Sequence, residues 1–191
     1  MPIPSIEDCL GEIENSYILV DTCFIIDASL STEQGETIYA ELRRILQEEN
    51  NHLLSVYPVA LEYLKGTNLI SEFQSKKAFL DDLVETWLPV DVTTIEKAYD
   101  LAQIYRRFGK DVSSTDFVLG ATLARYPNTY LLTKDHDDFP VRIFDRVSVL
   151  PMQHKNGGVD TYGLFKYSED KAGGISKELL KIHKKKAGLA N

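Results

Sequence analysis

Tyr17-Ile18-Leu19-Val20, His52 to Val56 and Thr129 to Thr133 are short, nearly continuous apolar runs, separated by stretches long enough to hold helices. A strand needs apolar residues in succession, rather than in alternation, when both faces of its sheet are covered. That is the usual condition of parallel strands joined by helical crossovers. Trp87 to Val90, weakened by Pro89, and Val147 to Leu150 are expected as further short strands. Between them, helices are predicted over Cys23 to Ser29, Glu33 to Glu49, Val59 to Lys65, Ile70 to Glu85 and Thr94 to Phe108. A last one runs from Ser113-Ser114-Thr115-Asp116 through Arg125. Ile38, Leu42, Ile45 and Leu46 give the second of these an apolar side. Pro58 ahead of Val59 and Gly66 behind Lys65 are start and stop signals for the third. The alternation predicts an α/β fold with a central, mostly parallel β-sheet flanked by helices on both faces.

The chain has 191 residues, 43% of them hydrophobic and 26% charged, which excludes global disorder and suffices for a core without disulfide staples. Its two cysteines, Cys9 and Cys23, make neither a disulfide framework nor a zinc motif. His52, His136, His154 and His183 are scattered, without metal-ligand spacing. No signal peptide or membrane span is legible, so the cytoplasm is the expected compartment. The texture changes at Pro151, which predicts a domain over residues 1–151 and a C-terminal extension over 152–191. In the extension, Gly157-Gly158 and Gly173-Gly174 bracket Tyr162 to Phe165, and Ile175 to Lys186 reads as a basic helix. Eight lysines against Asp160, Glu169, Asp170 and Glu178 give residues 151–191 a charge of +4, within a total of −8. The body is therefore strongly acidic and repels a polyanion unless cations or a local basic surface intervene.

Functional groups of open parallel sheets gather beyond the carboxyl ends of the strands. Asp21 directly follows the first run, and Asp135 follows the Thr129 to Thr133 run after one residue. Asp116 begins the helix that leads into that same strand. Glu62 is a lone carboxylate in the apolar stretch Val59-Ala60-Leu61-Glu62-Tyr63-Leu64. Carboxylates crowded at one rim repel one another, and a hard divalent cation with oxygen ligands removes that cost. Each acid also has a plainer use. Ser113-x-x-Asp116 is a capping box, Asp21 can cap a helix, Glu62 can lie on a surface helix, and Asp135, Asp137 and Asp138 can form a solvated turn. Asp27 reads as a surface residue, and Cys23 as a small buried hydrophobe.

The ordered set carries more than its parts. The run from Ile18 to Asp27, the segment from Pro58 to Gly66 bearing Glu62, the helix from Thr115 to Ala124 bearing Asp116, and Leu131 to Phe139 bearing Asp135 resemble, in order, the four motifs of PIN-domain nucleases. The match spans about Ile18 to Pro151. The resemblance implies a PIN-like fold and Mg2+- or Mn2+-dependent endoribonuclease activity. It assigns catalysis and metal binding to Asp21, Glu62, Asp116 and Asp135, with Asp138 as an additional ligand and Thr22 and Thr133 as supporting hydroxyls. Many members are VapC-type toxins of toxin–antitoxin pairs, so an RNA substrate, an antitoxin protein and a homodimer are the implied partners. Cys23 departs from the toxin pattern, where Asn is frequent, and the chain is longer than a compact toxin. Two other functions remain open from sequence: a catalytically inactive PIN-like RNA- or protein-binding module, and an aspartyl phosphotransferase using Asp21. The second expects another acid two residues on, where Cys23 stands.

Overall fold

The computed structural model describes residues 13–30, 33–48, 50–153 and 158–186. Six strands form one sheet: β1 (Tyr17–Val20), β2 (His52–Val56), β3 (Thr86–Leu88), β4 (Thr129–Thr133), β5 (Phe144–Gln153) and β6 (Val159–Tyr167). Their order across the sheet is β3-β2-β1-β4-β6-β5. β3, β2, β1 and β4 pair in parallel, whereas β6 runs antiparallel to both β4 and β5. The helices are α1 (Thr22–Ala28), α2 (Glu33–Glu48), α3 (Tyr57–Leu64), α4 (Ile70–Leu83), α5 (Val92–Arg107), α6 (Ser114–Arg125) and α7 (Glu169–Lys186). The mostly parallel, helix-flanked sheet expected from the apolar runs is what forms.

Successive strand residues point to opposite faces, so a strand buried at every position is covered on both. All five residues of β4 are buried, and β1 and β2 are buried after their first residue. From β1 the chain crosses to β2 and β3 on one side, then returns through α5 and α6 to β4 on the other. This reversal places the topological switch point between β1 and β4, where an open α/β sheet leaves a crevice at its carboxyl edge.

Three expectations change beyond residue 144. The strand expected over Val147 to Leu150 is much longer and passes through Pro151. The segment after it supplies β6, a strand that the glycine-flanked sequence does not announce. The C-terminal helix begins at Glu169 and continues through Gly173-Gly174 rather than starting after them. Its first turn is fixed from outside the helix: Ala172 is buried, and Lys171 Nζ donates to the Val141 carbonyl (2.8 Å) and pairs with Asp145 (2.6 Å). The side chains of Leu179, Lys181, Ile182, His183 and Lys184 to Lys186 lie outside the described residues, as do Cys9 and His154.

Beside the switch point, Phe139, Phe144 and Phe165 are fully buried and pack edge-on or tilted, with ring centres 5.5–5.9 Å apart. Phe139 thus nails down the turn that carries Asp135 and Asp138. Opposite Thr133, β6 places Gly163, where an added Cβ would collide with the Phe165 ring and come within 3.2 Å of His136 Nε2. Glycine here leaves room for the Phe165 ring and the His136 side chain to pack over the strand.

Candidate metal centre

Asp21 sits one residue past β1 as the N-cap of α1 and accepts a hydrogen bond from the Thr22 amide. It is the most enclosed of the acids, at 3% exposed. Thr133, the last residue of β4, donates its hydroxyl to Asp21 Oδ2 at 2.6 Å, and the Cys23 thiol donates to the same oxygen at 3.3 Å. Burial raises the Asp21 pKa, these three donors work against the rise, and the nearby Asp135 adds to it. Asp135 is exposed, with its amide donating to Thr133 Oγ1 at 3.0 Å. A carboxylate oxygen from each of Asp21 and Asp135, together with Cys23 Sγ, lie within 4.8 Å of one another.

Asp116 is brought to the same rim by α6. That helix runs back along the sheet before β4, so its first turn lies over the carboxyl edge. The N-cap half of the box forms: Ser113 Oγ accepts from the Asp116 amide (3.1 Å), and its hydroxyl, rather than the Ser113 amide, donates to Asp116 Oδ2 (2.6 Å). Capping does not isolate the carboxyl. Its pKa is pushed up to about 6, chiefly by burial and further by the charges of Asp21, Asp138 and Glu62. Asp138 is raised as well, by partial burial and by Asp135, with Lys110 pulling the other way.

Glu62 is exposed on α3, as a surface helix would have it, but it is not loose. Thr22 donates to Oε2 at 2.8 Å and Thr115 to Oε1 at 2.6 Å. Each threonine is the chain neighbour of another acid, Asp21 or Asp116, so the two hydrogen bonds stitch Glu62 to both. Thr115 is not singled out by sequence pattern, although its place beside Asp116 is a signal that could find it. Tyr105 escapes as well; its hydroxyl donates to the Asp138 carbonyl at 2.5 Å.

Two residues behave differently from their sequence reading. The Cys23 thiol is a hydrogen-bonding group, receiving the Lys134 amide (3.4 Å) while donating to Asp21. Burial, and then the Asp21 charge, push its pKa up to about 12, so it stands as a protonated donor. Asp27 is not a surface residue: it forms an ion pair with Lys134 and accepts from the Tyr162 hydroxyl at 2.5 Å. This buttress links α1, β4 and β6 behind the acids.

The donor set is therefore oxygen-rich, with the Cys23 thiol at its side, and its carboxylates suit a hard divalent cation. Among the described residues, none of Asp21, Glu62, Asp116 and Asp135 has an ion pair with lysine or arginine. The residues present fit such an ion. No helix among the described residues is long and apolar enough to cross a membrane.

No protein-family model matches the chain, and no curated protein matches it. Among solved structures, it is similar to a chain in the crystal structure of VapBC2 from Rickettsia felis bound to a DNA fragment from their promoter. That similarity has a TM-score of 0.47 and 16% identity, over 60% of this chain and 96% of that one.

Proposed function

We propose that the chain is a divalent-metal-dependent endoribonuclease with a PIN-like fold, acting through Asp21, Glu62, Asp116 and Asp135, with Asp138 as an additional ligand. The observation that carries the reading is that Asp21 and Asp135 bring carboxylate oxygens within 4.8 Å of one another while Glu62 is hydrogen-bonded to the chain neighbours of Asp21 and Asp116, and among the described residues none of the four is ion-paired with lysine or arginine. Two of them, Asp21 and Asp116, have raised pKa values. The ion expected here is Mg2+ or Mn2+, whose Lewis-acid chemistry is to polarise a phosphodiester and stabilise charge on the departing oxygen.

The protein's own part is positioning and proton transfer. Asp21, fixed by Thr133, Cys23 and Thr22, and Asp135, on its turn anchored by Phe139, would hold the ion. Glu62 has one hydrogen bond on each oxygen and presents its remaining lone pairs to a water at the rim. A water attacking the phosphodiester would give up its proton to a carboxylate at this rim; Asp116, fixed by Ser113, and Glu62, fixed by Thr22 and Thr115, are the groups placed to take it. RNA as the substrate, and an antitoxin protein as a partner, follow from the four-motif resemblance.

Incubating the purified chain with single-stranded RNA tests the proposal. Cleavage requires Mg2+ or Mn2+, stops with EDTA, and is lost in a folded Asp116→Asn variant. Equal cleavage by wild type and variant rejects the site. RNA binding without turnover describes a binding module instead.

A further inference from the structure

The turn that carries Asp135 and Asp138 has a second side. A cavity of about 680 Å3 opens there, within the ~300–1,000 Å3 typical of ligand sites, and its lining includes Arg107, Phe108, Lys110, His136, Arg142 and Arg146. In a chain of net charge −8, so many cations around one concavity run against the background. Some of that charge is already used. Arg107 pairs with Glu178 at 3.3 Å, Lys110 Nζ donates to the Asp137 carbonyl, and Asp137 itself is an acid in the lining. Arg142 and Arg146 are different. Both are exposed, and neither has an ion pair among the described residues. Arg142 is steadied by the Phe108 ring, with its guanidinium carbon 5.4 Å from the ring centre.

The cavity shares walls with the acidic centre. Asp135 and Asp138 act electrostatically on the acids, while His136 and Asp137, between them, line the cavity. On the helical side, Tyr105 donates to the Asp138 carbonyl, and Arg107 and Phe108 reach the cavity two and three residues later. The turn from Asp135 to Asp138 is thus common to the acidic centre and to the cavity that Arg142 and Arg146 line.

We propose that this cavity binds backbone phosphates of single-stranded RNA next to the scissile bond, with Arg142 and Arg146 as the paired cations. RNA as the ligand rests on the nuclease reading above. The acidic body repels an RNA strand, and a metal ion offsets that repulsion only at the reacting phosphate. Arginine forks match phosphate oxygens and supply the missing attraction along the flanking backbone.

The test reads binding rather than cleavage: fluorescence anisotropy of a fluorescein-labelled single-stranded RNA of about 12 nucleotides, the length scale of single-strand sites, with the full chain in EDTA. The Arg142→Ala/Arg146→Ala variant is expected to lose at least about tenfold in affinity. The slope of log affinity against log salt should become shallower by about 1.4, that is, about 0.7 for each phosphate no longer neutralised. Arg142→Lys/Arg146→Lys, which keeps the charge, retains the slope. Lys76→Ala/Lys77→Ala removes as much charge from the ion pairs of α4 and leaves affinity as it was. Circular dichroism verifies the fold of each variant. Failure of the wild type to bind, or equal losses in the Arg and Lys double variants, overturns the proposal. Absence of RNA hydrolysis with Mn2+ would overturn the nuclease reading and leave this binding result standing.

Discussion

Thr133 and Asp21, 112 residues apart, meet across the β4–β1 crevice in a 2.6 Å hydrogen bond from hydroxyl to carboxyl. The bond ties the end of one strand to the cap of the helix that leaves the other, and it supports a carboxyl that is otherwise out of water. Thr133→Val keeps the shape of the side chain and removes the donor. An enclosed oxygen losing its partner costs about 1–3 kcal/mol, and loss of a ligand-supporting bond weakens metal affinity about 10–100-fold. Thermal melts and Mn2+ titration check both, and a variant unchanged in either respect refutes the supporting role.

The state of Asp116 makes metal-free stability depend on pH. Its folded pKa of about 6 lies above the unfolded value of 3.8, so the native state holds the proton more tightly. The metal-free protein is then most stable below about pH 4 as far as this group is concerned, and loses that stability as pH rises through 6. The full shift corresponds to about 3 kcal/mol, which solvent screening at this half-buried carboxyl reduces to about 1–2 kcal/mol. Asp116→Asn should raise the melting temperature of metal-free protein at pH 7.5 and flatten the fall between pH 4 and 7. A steeper fall in the variant would contradict the assignment.

Glu62 depends on two hydroxyls, and the buried Thr115 is the more restrictive. With Thr115→Val the carboxylate loses the donor on Oε1 and its fixed direction. RNA cleavage should drop about 10–100-fold, by analogy with other supporting hydrogen bonds, while Thr115→Ser restores most of it. A valine variant with full activity shows that Glu62 needs no such alignment.

Behind the site, Asp27 accepts from Tyr162 and pairs with Lys134, its side chain only 13% exposed. Asp27→Ala leaves the Tyr162 hydroxyl without its acceptor and Lys134, among the described residues, with only the 3.9 Å ion pair to Asp160, at a cost of about 1–3 kcal/mol. Tyr162→Phe should cost about 1 kcal/mol. Chemical denaturation measures both, and equal stabilities for wild type and Asp27→Ala would remove the buttress from the account.

The acids are legible because each lies at a position that sequence pattern marks. Asp21 and Asp135 follow apolar runs, and Asp116 stands three residues after Ser113, which does cap its helix. Their convergence rests on the return of the chain to the far side of β1, which the apolar runs imply but do not order. Asp27 reads as a surface residue because its partner Tyr162 lies 135 residues away, on a strand hidden by its own glycine. At Gly163 an added Cβ would run into the Phe165 ring and come within 3.2 Å of His136 Nε2, a demand set by tertiary neighbours and not by local pattern. Gly173-Gly174 misleads in the same way. Glycine costs about 1 kcal/mol within a helix, and the groups that hold Lys171 and Ala172 in this one come from other parts of the chain.

Crystals grown with Mn2+ and measured for anomalous scattering test the central claim most directly. The account predicts a peak bound to Asp21 and Asp135 at about 2.2 Å, the distance for a small hard cation and carboxylate oxygen, with Asp116 and Glu62 facing it directly or through water, and no peak in Asp21→Asn. Manganese bound elsewhere, or an empty crevice in the wild type at saturating Mn2+, would contradict it.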